Sequence, residues 1–165
     1  KHLLSHERTN IADVNRAKRG LERLKRIARA EGVYDDPRFR DQIALLEVDI
    51  VALEMLVLRV LSAEKSGRNA LDIAGLLKIK GSEIQQRYTE LMMLAAGPYS
   101  LPWIFEAMDA GWQGDQAAPM GLQGFPGDNL DNAPLAPNYF NYRKTTIYGG
   151  SNEVQRNIVA QTVLG

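Results

Sequence analysis

Apolar residues recur along most of this chain at spacings of three, four and seven. That is the period of one helix face, and no stretch shows the alternation of a half-buried strand. Leu4, Ile11, Val14, Leu21 and Leu24 predict a first helix over 3–30, with Gly32 as its C-terminal stop. Asp35-Asp36-Pro37 predicts the start of a second, because an N-cap acid followed by proline at the first helical position leaves no needed N–H unmade. Phe39, Ile43, Leu46, Ile50, Leu53, Val57 and Val60 form its stripe, and Leu45, Val48, Leu56 and Leu58 widen it nearly all round. Such a helix belongs at the centre of a bundle; it ends near Ser66-Gly67. Ile73, Leu77, Gly81, Ile84, Tyr88, Leu91 and Ala95 mark a third helix over 69–96, closed by Gly97-Pro98, with Gly81 either allowing close helix approach or merely tolerated there.

From 99 to 137 the pattern dissolves into Gly, Pro, Asn, Asp and Gln, which predicts a long loop with a short helix at 103–110. A second short helix is expected at 139–144. Gly149-Gly150 then breaks the chain, and Ser151 caps a last helix carrying Val154, Ile158 and Val159. The expected fold is all-α: an up-and-down four-helix bundle with a long irregular loop before the last helix.

With 165 residues the chain suits a single domain, and 45% hydrophobic residues suffice for a core. Formal net charge is zero, which gives nucleic acid or an anionic membrane no global attraction. Cysteine is absent, so disulfides, thiolate metal sites and a cysteine nucleophile are excluded. The two histidines, His2 and His6, are too few for a histidine-rich metal site, and no metal is expected. No apolar run approaches the roughly 20 residues of a membrane span. The chain opens inside a predicted helix, which reads as a fragment. The expected location is the bacterial cytoplasm, with a mitochondrial one left open.

Three features carry candidate chemistry. Glu7 falls on the apolar stripe between Leu4 and Ile11. Facing a core, its carboxylate would lose water and become a stronger base near neutral pH; at an exposed helix start it would be ordinary. Gly149-Gly150-Ser151 is either a turn and cap or a place where backbone approaches a ligand closely. The basic face of the first helix, Arg16, Lys18, Arg19, Arg23, Lys25, Arg26 and Arg29, reads as a solvated face partly neutralised by Glu22 and Glu31, with phosphate binding as the alternative. Tyr139, Phe140 and Tyr142 read as packing.

The run Tyr142-Arg143-Lys144-Thr145-Thr146-Ile147-Tyr148-Gly149-Gly150-Ser151-Asn152-Glu153-Val154-Gln155-Arg156-Asn157-Ile158-Val159-Ala160 resembles the ending of the acyl-CoA dehydrogenases, roughly I-Y-[E/G]-G-[T/S]-x-E-[I/V]-Q-R-x-[I/V]-[I/V]-A. Glu7-Arg8 resembles the Glu-Arg pair on the first helix of that family's C-terminal domain. The resemblance implies a C-terminal helical domain, with an N-terminal helical and a middle β domain outside this chain. It implies FAD as cofactor, an acyl-CoA thioester as substrate, electron-transfer flavoprotein as electron acceptor, and a homo- or hetero-tetramer built on the bundle. Many members carry the base as the glutamate of I-Y-E-G-T; here Gly149 stands there. A second group places it on the first helix, which implies Glu7 as catalytic base, with Arg8 beside it. Tyr148 and Gly149 would then line the substrate, and Gly150, Ser151 and Glu153 would contact FAD.

Two departures bear on assembly. The family's R-x-x-F-G, whose Arg reaches a neighbouring subunit's flavin, is replaced by Arg29-Ala30-Glu31-Gly32-Val33-Tyr34. Its Q-x-x-G-G-x-G is replaced by Met92-Met93-Leu94-Ala95-Ala96-Gly97-Pro98. Both weaken the inter-subunit flavin contacts of a simple homotetramer; the hypotheses are compensation by the loop 99–137, or a divergent subgroup that pairs with an unlike subunit. Competing readings are a flavin oxidase or monooxygenase of the same fold, a non-catalytic partner subunit, and a helical nucleic-acid module.

Overall fold

The computed structural model describes residues 13–66, 71–101 and 135–164. Five α-helices and three short 3-10 turns are found among the described residues, with no strand. The chain is all-α, as its periodicity predicts.

Helix α1, Val14–Ala30, starts where the Asp13 carboxylate accepts the Arg16 N–H at 2.9 Å, satisfying one free donor of the first turn. Ala17, Leu21, Leu24, Ile27 and Ala28 form its buried stripe. Gly32, at φ 74°, turns the chain out of the helix in the left-handed region where an L side chain is strained. The predicted segment 3–12, with Glu7 and Arg8, lies outside the described residues.

Helix α2 is Pro37–Lys65. Proline opens it as expected, and the Asp36 carboxylate accepts the Arg38 N–H at 2.9 Å. Phe39, Ile43, Leu46, Ile50, Leu53 and Val60 are buried at the predicted spacing. The basic face of α1 meets acids of this helix: Lys18 pairs with Glu54 at 2.7 Å and Lys25 with Glu47 at 3.3 Å. Those charges are therefore matched within the chain, more by α2 than by α1's own Glu22.

The central position expected for α2 is not observed. Leu45 is 67% exposed and Val48 66%, and Val51, Met55, Leu58 and Leu61 continue the exposed row. Helix α3, Leu71–Ala96, holds the centre and packs against α1, α2, α4 and α5. The cause lies in composition: α3 carries small residues where neighbours approach. At Gly20 of α1 a Cβ would lie 3.2 Å from the Tyr88 ring, and at Gly75 of α3 one would lie 2.9 Å from Val159. Close approach is seen at these two glycines, and Gly81, where it is expected, is buried.

After α3, Gly97–Ser100 forms a 3-10 turn, with Gly97 at φ 56°. The expected helix at 103–110 and most of the expected loop lie outside the described residues. The loop's end is corrected. Helix α4, Leu135–Tyr142, begins before Pro137, because proline in a first turn removes an N–H that has no intrahelical partner. The helix expected at 139–144 therefore starts earlier and gives way to a 3-10 turn, Arg143–Thr146. Helix α5, Asn152–Leu164, ends the described chain.

Tyr88 of α3 and Tyr142 of α4 meet edge to face at 6.0 Å. They line a cavity of about 190 Å³ that Arg16, Arg19, Thr89 and Asn138 also border. Burial and the Tyr142 hydroxyl push the Tyr88 hydroxyl far above its ordinary value of 10.0. Above that value the unfolded tyrosine sheds its proton while the folded one keeps it. The folded state then binds more protons, so Tyr88 makes stability fall as pH rises. Urea midpoints at pH 9 and 11 should drop more steeply in the native sequence than in Tyr88→Phe; equal slopes would contradict this.

Candidate functional site

Of the predicted site residues, Tyr148, Gly149, Gly150, Ser151 and Glu153 follow one another from the turn after the 3-10 segment into the start of α5, while Glu7 and Arg8 lie outside the described residues. Tyr148 is 44% exposed. Burial and Tyr142 push its hydroxyl up, while the positive charge of Arg16 acts the other way. Gly149 and Gly150 follow at φ 69° and 90°, conformations that L side chains rarely adopt. At Gly150 even a methyl would meet Gln155 Nε2 at 2.5 Å.

Ser151 is half-buried and caps α5: its carbonyl accepts the Gln155 N–H at 2.9 Å, and its hydroxyl lies 3.4 Å from the Val154 nitrogen. Glu153 is exposed. Its own backbone N–H and the Ser151 hydroxyl hold its carboxyl below the usual carboxylate range, with smaller help from Arg156 and Lys78. The helix start thus carries its own anion.

Beneath this turn lies a polar layer that sequence reasoning missed. Lys78, Ser82, Gln85 and Thr89 run along α3 at spacings of four, three and four, and all are buried. Lys78 is 0% exposed. Its ammonium donates to Asn152 Oδ1 at 2.7 Å and to the Thr146 carbonyl at 3.0 Å. Ser82 Oγ donates to the Ile79 carbonyl and accepts from Asn152 Nδ2 at 3.1 Å. Farther along, Gln86 Nε2 donates to the Arg143 carbonyl at 3.1 Å, and Arg143 donates to the Gln86 carbonyl at 2.8 Å while stacking on Tyr139. The signal was present as a second, polar period beside the apolar stripe Leu77, Ile84, Leu91. Polar residues at helical spacing read as a solvated face unless the helix is central, and α3 had not been placed there.

Among the described residues no group of three or more His, Asp or Glu could hold a metal ion, and no helix is long and apolar enough to cross a membrane.

The family described as "Acyl-CoA dehydrogenase, C-terminal domain" matches residues 1–164. The chain belongs to this family. A curated relative, the acyl-CoA dehydrogenase IpdE1 of Mycolicibacterium smegmatis, is 27% identical over 145 residues, covering 86% of this chain and 29% of the relative. Among solved structures, the Tcur3481-Tcur3483 steroid ACAD G363A variant superposes with a TM-score of 0.73 at 23% identity, over 98% of this chain and 38% of that one. A chain from a structure of the electron transferring flavoprotein of Acidaminococcus fermentans superposes at 0.70 with 17% identity, over 98% and 37%. These superpositions show the fold shared with larger proteins. This acyl-CoA dehydrogenase C-terminal domain spans about a third of the length of each.

Proposed function

We propose that this chain is the C-terminal helical part of a flavin-dependent acyl-CoA dehydrogenase that introduces an α,β double bond into an acyl-CoA thioester. The observation that carries this reading is the turn itself. In a chain of this family, Tyr148, two glycines at positive φ, Ser151 and Glu153 stand in unbroken order at the start of α5.

The turn fits a flavin on chemical grounds. Gly150 offers backbone without a side chain, exposed Ile147 and Tyr148 offer apolar surface, and Ser151 and Glu153 offer hydroxyl and carboxylate oxygens. A carboxylate at the helix start suits the N–H and hydroxyl donors of FAD and disfavours its pyrophosphate. Gly150, Ser151 and Glu153 would hold the cofactor, which when bound supplies the acceptor for the β-hydride.

The chain's own residues do the rest. Glu7 would take the α-proton at the base position the resemblance implies, with Arg8 next to it in sequence. Tyr148 lines the thioester end. Gly149 leaves space for a carboxylate arriving from the first helix. Electron-transfer flavoprotein would reoxidise the enzyme, and the exposed apolar row of α2 would be covered in an oligomer.

The full-length protein should show flavin absorption bands, bleached without oxygen by at least one member of an acyl-CoA panel. Absence of flavin would overturn the reading, and rapid reaction of the reduced enzyme with oxygen would reassign it as an oxidase.

One observation favours assembly with an unlike subunit. The Arg29 guanidinium stacks on Tyr34 of its own chain at 4.6 Å, where the family's arginine reaches across to a neighbour's flavin. The native mass of the full-length assembly decides between one chain type and two.

A further inference from the structure

A lysine ammonium removed wholly from water needs a reason, since burial disfavours its charged form and an unpaired buried ammonium is costly. Lys78 has two neutral acceptors, and they are not adjacent in sequence. The Thr146 carbonyl ends the 3-10 segment, and Asn152 is the first residue of α5. Between them lies only the turn 147–151. One ammonium therefore spans the base of that turn.

We propose that Lys78 is a positioning residue for the reaction assigned above: by tying the Thr146 carbonyl to the Asn152 side chain, it sets the shape in which Tyr148 and Gly149 meet the substrate. The inference rests on the proposed acyl-CoA site but concerns a residue that touches neither substrate nor cofactor.

Among the described residues, few other bonds join the two ends of the turn. Its glycines have no side chains to pack, and Ile147, Tyr148 and Gly150 are exposed. Within it, the Ile147 and Tyr148 N–H groups both bond back to the Lys144 carbonyl, at 2.9 and 3.4 Å, and Gln155 Nε2 reaches the Gly149 carbonyl at 3.4 Å. These bonds shape each end separately. The two made by Lys78 are shorter than that last one and join one end to the other. Ser82 holds Asn152 from behind through its amide nitrogen, which leaves Oδ1 turned to the ammonium. Glu153 adds a favourable charge nearby, while desolvation lowers the Lys78 pKa. An ammonium so held has no freedom to serve as a surface cation, and its fixed place suits it to fix what it binds.

The test uses the full-length flavoprotein. Lys78→Met keeps the stem and removes the ammonium. Amide hydrogen exchange over 147–152 should accelerate at least about tenfold while protection in α2 is unchanged. The kcat for the best acyl-CoA should fall about tenfold or more, through misplacement at the reacting end, with a smaller change in KM. In the double variant Lys78→Met/Asn152→Leu, which replaces the severed pair by apolar groups, melting temperature should recover and kcat should not. Asn152→Asp, which keeps the acceptor, should stay within about threefold of the parent kcat.

Exchange in the turn that stays as slow as before, or kcat that recovers in step with melting temperature, would overturn the proposal. So would a loosened turn with kcat and KM unaltered. If Lys78→Met does not accumulate as folded protein, Asn152→Ala severs one end alone and faces the same criteria. A parent protein that no acyl-CoA bleaches would instead refute the acyl-CoA site, with the exchange arm still judging whether Lys78 holds the turn.

Discussion

Replacing Glu7 by Gln in the full-length protein is expected to lower kcat by about 10²–10⁴-fold, with flavin content and melting temperature unchanged. The amide keeps the size of the carboxylate but cannot accept the proton. Between Ile147 and Gln155 the single carboxylate is Glu153. It is exposed, and its own N–H and the Ser151 hydroxyl lower its pKa. A carboxylate stabilised in its charged form is a poor acceptor for a weakly acidic carbon-bound proton. Gly149 supplies no side chain at the position where many family members carry the base. The resemblance then implies a base on the first helix, at Glu7. Glu153→Gln should change kcat only a few-fold. Steady-state turnover with the acyl-CoA that bleaches the parent enzyme measures both, and full activity in Glu7→Gln would remove the assignment.

Leu24→Ala should cost about 2–5 kcal/mol, seen as a lower urea midpoint with little change in slope. Leu24 is 0% exposed and belongs to the core built from α1, α2 and α3. Its truncation removes apolar contact and leaves a hole that surrounding helices close only in part. Against a typical stability of about 5–15 kcal/mol that is a large share. Leu45→Ala on the outer row of α2 gives the contrast. In a single chain it should lie within about 0.5 kcal/mol of neutral. A greater loss that shrinks on dilution would show that another subunit covers it. An unaltered midpoint for Leu24→Ala would contradict its place in the core.

Much of the fold was legible because local rules and burial agreed. Asp36-Pro37 opened α2, the row from Phe39 to Val60 turned inward, and the Gly149-Gly150 break preceded a Ser151 cap. Legibility failed where an answer depended on neighbours. The outer row of α2 is as apolar as a buried one, and sequence cannot say whether a helix or solvent faces it. Leu135 and Ala136 sit between prolines and read as loop, though Pro137 is harmless in a first turn. The turn residues of the candidate site were identified from the resemblance. Lys78 was not, because a lysine beside an apolar stripe is nearly always a solvated one, and only the arrival of Asn152 from a distant segment changes its meaning.

The polar line along α3 has a consequence for how the ending of the chain can seat. Apolar ridges look much alike after a slide of one helical turn, about 5.4 Å, so grease alone would let α4 and α5 creep along their track. A slide would strand the Lys78 ammonium and pull Arg143 away from Gln86. These contacts act as detents that permit a single stop, and the Gly149 bend inherits its alignment from them.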